Sequence, residues 1–291
     1  MTVPARPTPL FADIADVPRR LAETGYLPDT ATATAVFLAA RLGKPLLVEG
    51  PAGVGKTELA RAVAQATGSG LVRLQCYEGV DEARALYEWN HAKQILRIQA
   101  GSGDWEATKT DVFSEEFLLQ RPLLTAIRRT EPTVLLIDET DKADIEIEGL
   151  LLEVLSDFAV TVPELGTLTA TRAPFVLLTS NATRELSEAL KRRCLYLHID
   201  FPTPELERRI LLSRVPELPE HFAEELVRII GVLRGMQLKK VPSIAETIDW
   251  GRTVLALGLD TIDDAVVAAT LGVVLKHQSD QQRATGELRL N

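Results

Sequence analysis

The stretch Gly50-Pro51-Ala52-Gly53-Val54-Gly55-Lys56-Thr57 fits G-x-x-x-x-G-K-[ST], a spacing that can wrap backbone around a phosphate chain. Gly50, Gly53 and Gly55 let the chain curl until its N–H groups face one anion, and a helix opening at Lys56 adds its partial positive charge. Lys56 is then placed to reach the β- and γ-phosphates of ATP. Thr57 offers its hydroxyl to Mg²⁺, an ion that takes few protein ligands beside phosphate oxygens. Glu58 follows in the first helical turn and is included in the nucleotide-binding set. The alternative is a glycine-rich turn that merely joins a strand to a helix.

A second chemical pair stands at the end of Val134-Leu135-Leu136-Ile137-Asp138-Glu139. Strand geometry turns adjacent side chains to opposite faces, so one carboxylate can serve a metal and the other a water. Asp138 continues the apolar strand and is read as the metal-side residue, with Glu139 as the base or positioner for an attacking water. A solvated strand end is the alternative. Asn181 follows Phe175–Ser180 and falls where ligands bind in open α/β sheets, although Ser-Asn-Ala-Thr is also an ordinary helix cap. Arg192 and Arg193 come after a short helix and before Leu195–Ile199. Either could supply charge to a neighbouring subunit's phosphate, but in isolation a solvated basic face is the better reading.

These residues need a scaffold that alternates strands and helices. A strand over Pro45–Glu49, a helix over Lys56–Thr67 and strands over Leu71–Gln75, Thr133–Asp138, Phe175–Leu178 and Leu195–Ile199 read as an α/β fold, a parallel sheet sandwiched by helices. Ile147, Leu150, Leu151, Val154, Leu155 and Phe158 recur at helical spacing and mark a side that faces the sheet. Ala159–Val162 and Leu168–Thr171 flank Pro163-Glu164-Leu165-Gly166 and read as a β-hairpin. Residues 1–30 are a proline-punctuated leader with one short helix near Val17–Thr24, and 31–201 form the core. Thr203-Pro204-Glu205 opens a helix with a cap hydroxyl and a proline at its first position. From there 202–276 read as an all-α lid of three or four helices, and 277–291 as a polar, frayed tail. Asn90–Leu119 reads as a polar, loop-like insertion, and Trp89, Trp250 and Val254 as packing residues.

With 291 residues, 46% hydrophobic and 25% charged, the chain can bury one large core plus a smaller second domain. A net charge of −9 counts against nucleic acid and anionic membranes as general partners. Cys76 and Cys194 show no disulfide or zinc spacing. A reducing compartment fits, and with no apolar run of membrane-spanning length the expected location is the cytoplasm.

Taken together, GPAGVGKT, LLIDETDKAD, the hairpin VTVPELGTLTA, LLTSN and LKRRCLYLHIDFP resemble the MoxR family of AAA+ ATPases from about Ala31 to Leu275. Within that family, CYEGVDEARALYEW, LLEVLSDF and VPSIAETIDW are similar to ATPases encoded beside carbon monoxide dehydrogenase and related molybdenum hydroxylases. The resemblance implies a P-loop ATPase with a C-terminal lid, working as a ring, usually a hexamer, with ATP between subunits. It also implies a partner with a von Willebrand factor A domain and a metalloenzyme client that the pair matures. By the same resemblance Lys56 and Thr57 belong to Walker A, Asp138 and Glu139 to Walker B, Asn181 to sensor 1, and Arg193, or else Arg192, to the arginine finger. One position departs from the pattern: where relatives carry Ser-Pro-Arg as sensor 2, this chain has Ser243-Ile244-Ala245. Arg252, two turns further on, is either a replacement or a surface residue. A nucleic-acid motor and a small-molecule kinase are the competing readings.

Overall fold

The computed structural model describes residues 10–100, 111–259 and 261–288. The chain divides into two compact units: Met1–Thr24, Pro28–Glu49 and Thr57–His198 in the first, and Gly25–Leu27, Gly50–Lys56 and Ile199–Asn291 in the second. The division falls inside the loop–helix motif, between Lys56 and Thr57.

The first unit opens with helices α1 (Asp16–Glu23) and α2 (Thr30–Leu42), strand β1 (Leu46–Glu49), helix α3 (Lys56–Thr67) and strand β2 (Gly70–Gln75). There follow α4 (Glu82–Ala85), β3 (Tyr87–Trp89), α5 (His91–Ala100), β4 (Leu118–Gln120), α6 (Pro122–Arg128) and β5 (Thr133–Asp138). Helix α7 (Ile145–Asp157), strands β6 (Ala159–Val162), β7 (Gly166–Thr169) and β8 (Phe175–Ser180), helix α8 (Glu188–Arg193) and β9 (Leu195–His198) complete it. The main sheet runs β2-β5-β8-β1-β9 with every pair parallel, as expected. All six residues of β5 and of β8 are buried, which is why both read as unbroken apolar runs. Register sets Gln75 opposite Asp138 and Glu49 opposite Ser180, so the polar residues line up along the sheet's C-terminal edge. Helix α7 buries Ile147, Leu151, Val154 and Leu155, and Asp144 caps it by accepting from the Ile147 N–H.

Several expectations change here. Helix α1 forms where the leader's helix was predicted and is tied down, with Val17 and Leu21 buried and Arg20 donating to the carbonyls of Leu10 and Ala66. The hairpin's second strand begins earlier than predicted, since Gly166 itself pairs with Val162. Asn90–Leu119 is not simply loop: its start forms α5 and its end pairs β4 with β3. Helix α5 carries Ala92, Ile95 and Leu96 at helical spacing, a signal the loop-like reading passed over, but Ile95, Leu96 and Ile98 face outward. Its inward contact is a glutamine, Gln94, donating to the Val112 carbonyl at 2.8 Å. Gly101, Ser102, Gly103 and Trp105 lie outside the described residues.

The second unit packs α9 (Pro204–Arg214), α10 (Glu220–Gly235), α11 (Ile244–Ala256), α12 (Asp264–Val274) and α13 (Gln278–Glu287) around Leu211, Phe222, Leu226, Ile230, Trp250 and Leu271. Trp250 and Val254 are fully buried, and the indole N–H of Trp250 donates to Thr270 Oγ1 at 2.8 Å. Buried Glu207 accepts two bonds from Arg234, at 2.6 and 2.9 Å, and one from Thr247 at 2.7 Å, tying α9, α10 and α11 together. The tail expected to fray instead forms α13, in which Ala284 is buried and Asp280 accepts from the backbone of Lys239 and Lys240. Polar side-chain bonds rather than an apolar stripe hold it, so periodicity could not reveal it.

Candidate active site

In the second unit the loop Gly50–Lys56 adopts the conformation its glycines permit. Gly53 and Gly55 have φ of 78° and 96°. A Cβ on Gly53 would stand 2.2 Å from the Cβ of Ser243, and the next residue, Ile244, donates its N–H to the Gly53 carbonyl at 3.3 Å. Only glycine fits under the start of α11. Lys56 is 6% exposed, and its Nζ donates to the carbonyls of Gly50 at 2.6 Å and Pro51 at 2.7 Å. Lys56 is the first residue of α3, so its ammonium stands where the helix N-terminus also favours an anion. Val54 is buried, while Pro51, Ala52, Gly55 and Glu58 keep part of their surface open.

Sequence reasoning missed Tyr26, whose ring lies 3.7 Å from where a Gly55 Cβ would stand, and Arg214, whose guanidinium is 3.6 Å from the corresponding point on Gly25. An aromatic residue after a glycine in the proline-rich leader was the available signal. The Ser243 side chain caps α11 reciprocally with Glu246, and no arginine stands at the following two positions. Arg252 is exposed and meets Asp249 at 3.4 Å. Eight residues of helix put it about 12 Å beyond Ile244 along the axis.

In the first unit the strand ends gather a bonded set of acids. Asp138 Oδ1 accepts from Thr57 Oγ1 at 2.9 Å and Thr179 Oγ1 at 2.5 Å, while Oδ2 meets Arg73 at 2.5 Å. Thr179 Oγ1 in turn accepts from the Glu139 N–H at 2.9 Å. Glu139 departs from the expected geometry, because the strand stops at Asp138 and Glu139 has φ 56°, ψ 47°. Its direction comes from a left-handed turn and not from strand alternation. Such a conformation costs a non-glycine residue about 1–3 kcal/mol and is held only where surrounding bonds enforce it. Glu139 Oε2 accepts from Gln75 Nε2 at 2.9 Å and Lys142 Nζ at 2.7 Å, and the carboxylate's hydrogen bond holds the Lys142 pKa above its ordinary value. Thr57 and Asp138 supply hard oxygen donors, the type Mg²⁺ takes when phosphate oxygens fill its remaining positions. Cys76, beside these acids, is inert: burial and then the charges of Asp138, Asp141 and Glu139 push its thiol up to about 12.

Asn181 sits just past β8, as expected, but caps no helix. Its N–H donates to Asp141 Oδ1 at 3.2 Å, and the next residue, Ala182, has φ 55°. Asp141 went unnoticed in the sequence. Burial would raise its pKa, but bonds from Thr183 Oγ1 at 2.5 Å and from the N–H groups of Asn181 and Thr183 outweigh this and lower it. Arg192 and Arg193 belong to the last turn of α8 and do not follow it, and both are exposed. Arg193 Nε donates to Ser156 Oγ at 2.7 Å.

The profile of the AAA domain, dynein-related subfamily, matches residues 45–194, a span holding the phosphate loop, both strand-end acids and both arginines. The chain belongs to this AAA family. It is an ATPase of the AAA+ class, a class whose members generally oligomerise into rings. It is 27% identical over 236 residues to chaperone protein ClpB 1 of Synechocystis sp., covering 76% of this chain and 23% of that protein. Chaperone protein ClpB 2 of Thermosynechococcus vestitus is 33% identical over 143 residues, 48% of this chain and 14% of that one. The AAA+ chain thus spans about a quarter or less of these relatives' length. A proline-to-glycine mutant of RuvB from Thermotoga maritima shares the fold with a TM-score of 0.52 at 19% identity, covering 92% of this chain and 73% of that one. Among the described residues no helix is long and apolar enough to cross a membrane.

Proposed function

We propose that this AAA+ ATPase is a MoxR-type remodelling chaperone that binds Mg-ATP at Gly50–Thr57 and hydrolyses it with Glu139. The observation that carries the hydrolytic part is the division of labour at the end of β5. Asp138 is bonded to Thr57, the residue that follows Lys56 in the phosphate motif, while Glu139 is turned off the strand onto separate partners. Lys56 binds the phosphates, with Glu58 beside it in the first turn of α3. Thr57 and Asp138 hold Mg²⁺, which supplies neutralising charge to the phosphates when bound. Glu139 takes the proton of the attacking water and Asn181 orients that water. Arg193, with Arg192 as the alternative, stabilises charge on a neighbouring subunit's nucleotide, so the working form is a ring, taken as a hexamer. The core over 31–201 carries the chemistry and the helices over 202–276 form its lid.

The likeness to ClpB chaperones supports protein remodelling as the work done with ATP. The segments CYEGVDEARALYEW and VPSIAETIDW support a metalloenzyme client such as a molybdenum hydroxylase, with a von Willebrand factor A domain partner, in the cytoplasm. The test is sedimentation with and without ATP together with co-purification from the native source. ATP-dependent assembly and recovery of a metalloenzyme with a von Willebrand factor A protein are expected. A protein that never assembles with ATP, or that is recovered with DNA, would overturn the reading.

A further inference from the structure

The residue holding the second oxygen of Asp138 belongs to none of the motifs above. Arg73 lies on β2, the edge strand of the sheet, and register sets it opposite Leu136, two residues short of Asp138. Two residues of strand are about 6.6 Å, a gap that only a long side chain spans. Arg73 and Gln75 share a face of β2, and the same guanidinium nitrogen donates to Gln75 Oε1 and to Asp138 Oδ2. The other end of that amide, Nε2, donates to Glu139 Oε2 at 2.9 Å and to the Cys76 carbonyl at 3.3 Å. A continuous chain Asp138–Arg73–Gln75–Glu139 therefore links the metal-side acid to the water-side acid.

We infer that Arg73 is an internal cation that competes with Mg²⁺ for Asp138, holding the carboxylate until the metal takes its place. This rests on the reading of Asp138 as a metal-side residue. The Asp138 side chain is only 3% exposed, so a cation beside it is a strong electrostatic requirement, and the guanidinium fills it within the chain. Arg73 itself is 43% exposed, so it has room to withdraw toward solvent when Asp138 takes another cation. When Arg73 withdraws, Gln75 still turns Nε2 to the Cys76 carbonyl and to Glu139, both of which only accept, so the change is confined to Asp138. Arg73 is thus a positioning residue that acts on Asp138.

The experiment measures the Mg²⁺ concentration at half-maximal binding of a fluorescent, non-hydrolysable ATP analogue. Arg73→Gln and Arg73→Met, both lacking the cation, are expected to lower that midpoint by about three- to tenfold. Arg73→Lys, which keeps a positive charge, stays within about twofold of the unaltered protein. Arg73→Met retains an apolar stem over the sheet and carries the test if the glutamine variant does not fold. A merely structural arginine would change the melting temperature and leave the Mg²⁺ midpoint where it was; an unchanged or raised midpoint in a folded variant overturns the inference. Asp138→Asn is the control for the underlying reading. If it leaves the midpoint of the otherwise unaltered protein unmoved, the assignment of Asp138 has failed, and not the role of Arg73 alone.

Discussion

At the C-terminal ends of β5 and β8 each acid is engaged by several groups of its own chain. At the C-terminal end of α8, two arginines stand exposed, and the bonds of Arg193 go to a hydroxyl and a carbonyl, both neutral. The neighbouring Lys191 is paired with Glu185 and Glu188. This difference separates a region whose electrostatics are satisfied internally from one whose guanidinium still has strong charge-assisted bonding to offer. The first is built to keep a geometry, at the cost of left-handed backbone at Glu139 and Ala182. The second is suited to meeting an anion that another molecule brings.

The sharpest way to break that contrast is Arg193→Ala. As a finger it should lower kcat by about 10³-fold or more while ATP affinity and melting temperature stay put. Steady-state kinetics beside a thermal melt decide it, and an unaltered kcat would move the role to Arg192 or remove it from this helix. Changes in the strand-end region should behave oppositely, through stability. Asp141→Asn removes charge from an acceptor of three donors and should cost about 2 kcal/mol near neutral pH. Because the folded-state pKa of Asp141 is lowered, its contribution is present above the ordinary carboxylate value of 3.8 and is lost as pH falls through the folded value. Melts of the variant and the unaltered protein should therefore converge in acid, and a constant gap across pH would contradict the assignment.

The helical unit repeats the contrast on a smaller scale. Gly53→Ala forces a side chain against Ser243 at φ 78° and should destabilise this unit by about 1–3 kcal/mol, read by denaturant unfolding. Arg252→Ala should change stability by no more than about 0.5 kcal/mol and leave nucleotide affinity unaltered. A loss of affinity there would make Arg252 the replacement for the arginine that Ser243-Ile244-Ala245 lacks.

The phosphate loop was legible in the sequence because backbone curvature, a cation and a hydroxyl are all written in residue type at fixed spacing. The span of β5 was equally plain, since burial on both faces needs an unbroken apolar run. Glu139 was singled out in the sequence, but its direction was not foreseen: strand alternation assumed that β5 continues, and a positive φ leaves no trace in a glutamate. Arg73, Gln75 and Asp141 were invisible because their roles come from register and from a loop returning to the sheet edge, which pair residues 40 to 65 positions apart. Helices α5 and α13 escaped for a different reason. Each is held by polar groups bonding to backbone: α13 has no apolar stripe, and the apolar residues of α5 face outward, so neither shows a stripe turned to a core.

The separation of tasks between two adjacent acids, Asp138 and Glu139, is tested most directly by Glu139→Gln. The substitution keeps the side chain's size while removing the base. Turnover of ATP should fall by about 10²- to 10⁴-fold, with binding of Mg-ATP retained at close to its original affinity. Turnover equal to that of the unaltered protein would contradict the assignment of Glu139 and with it the division of labour at the end of β5.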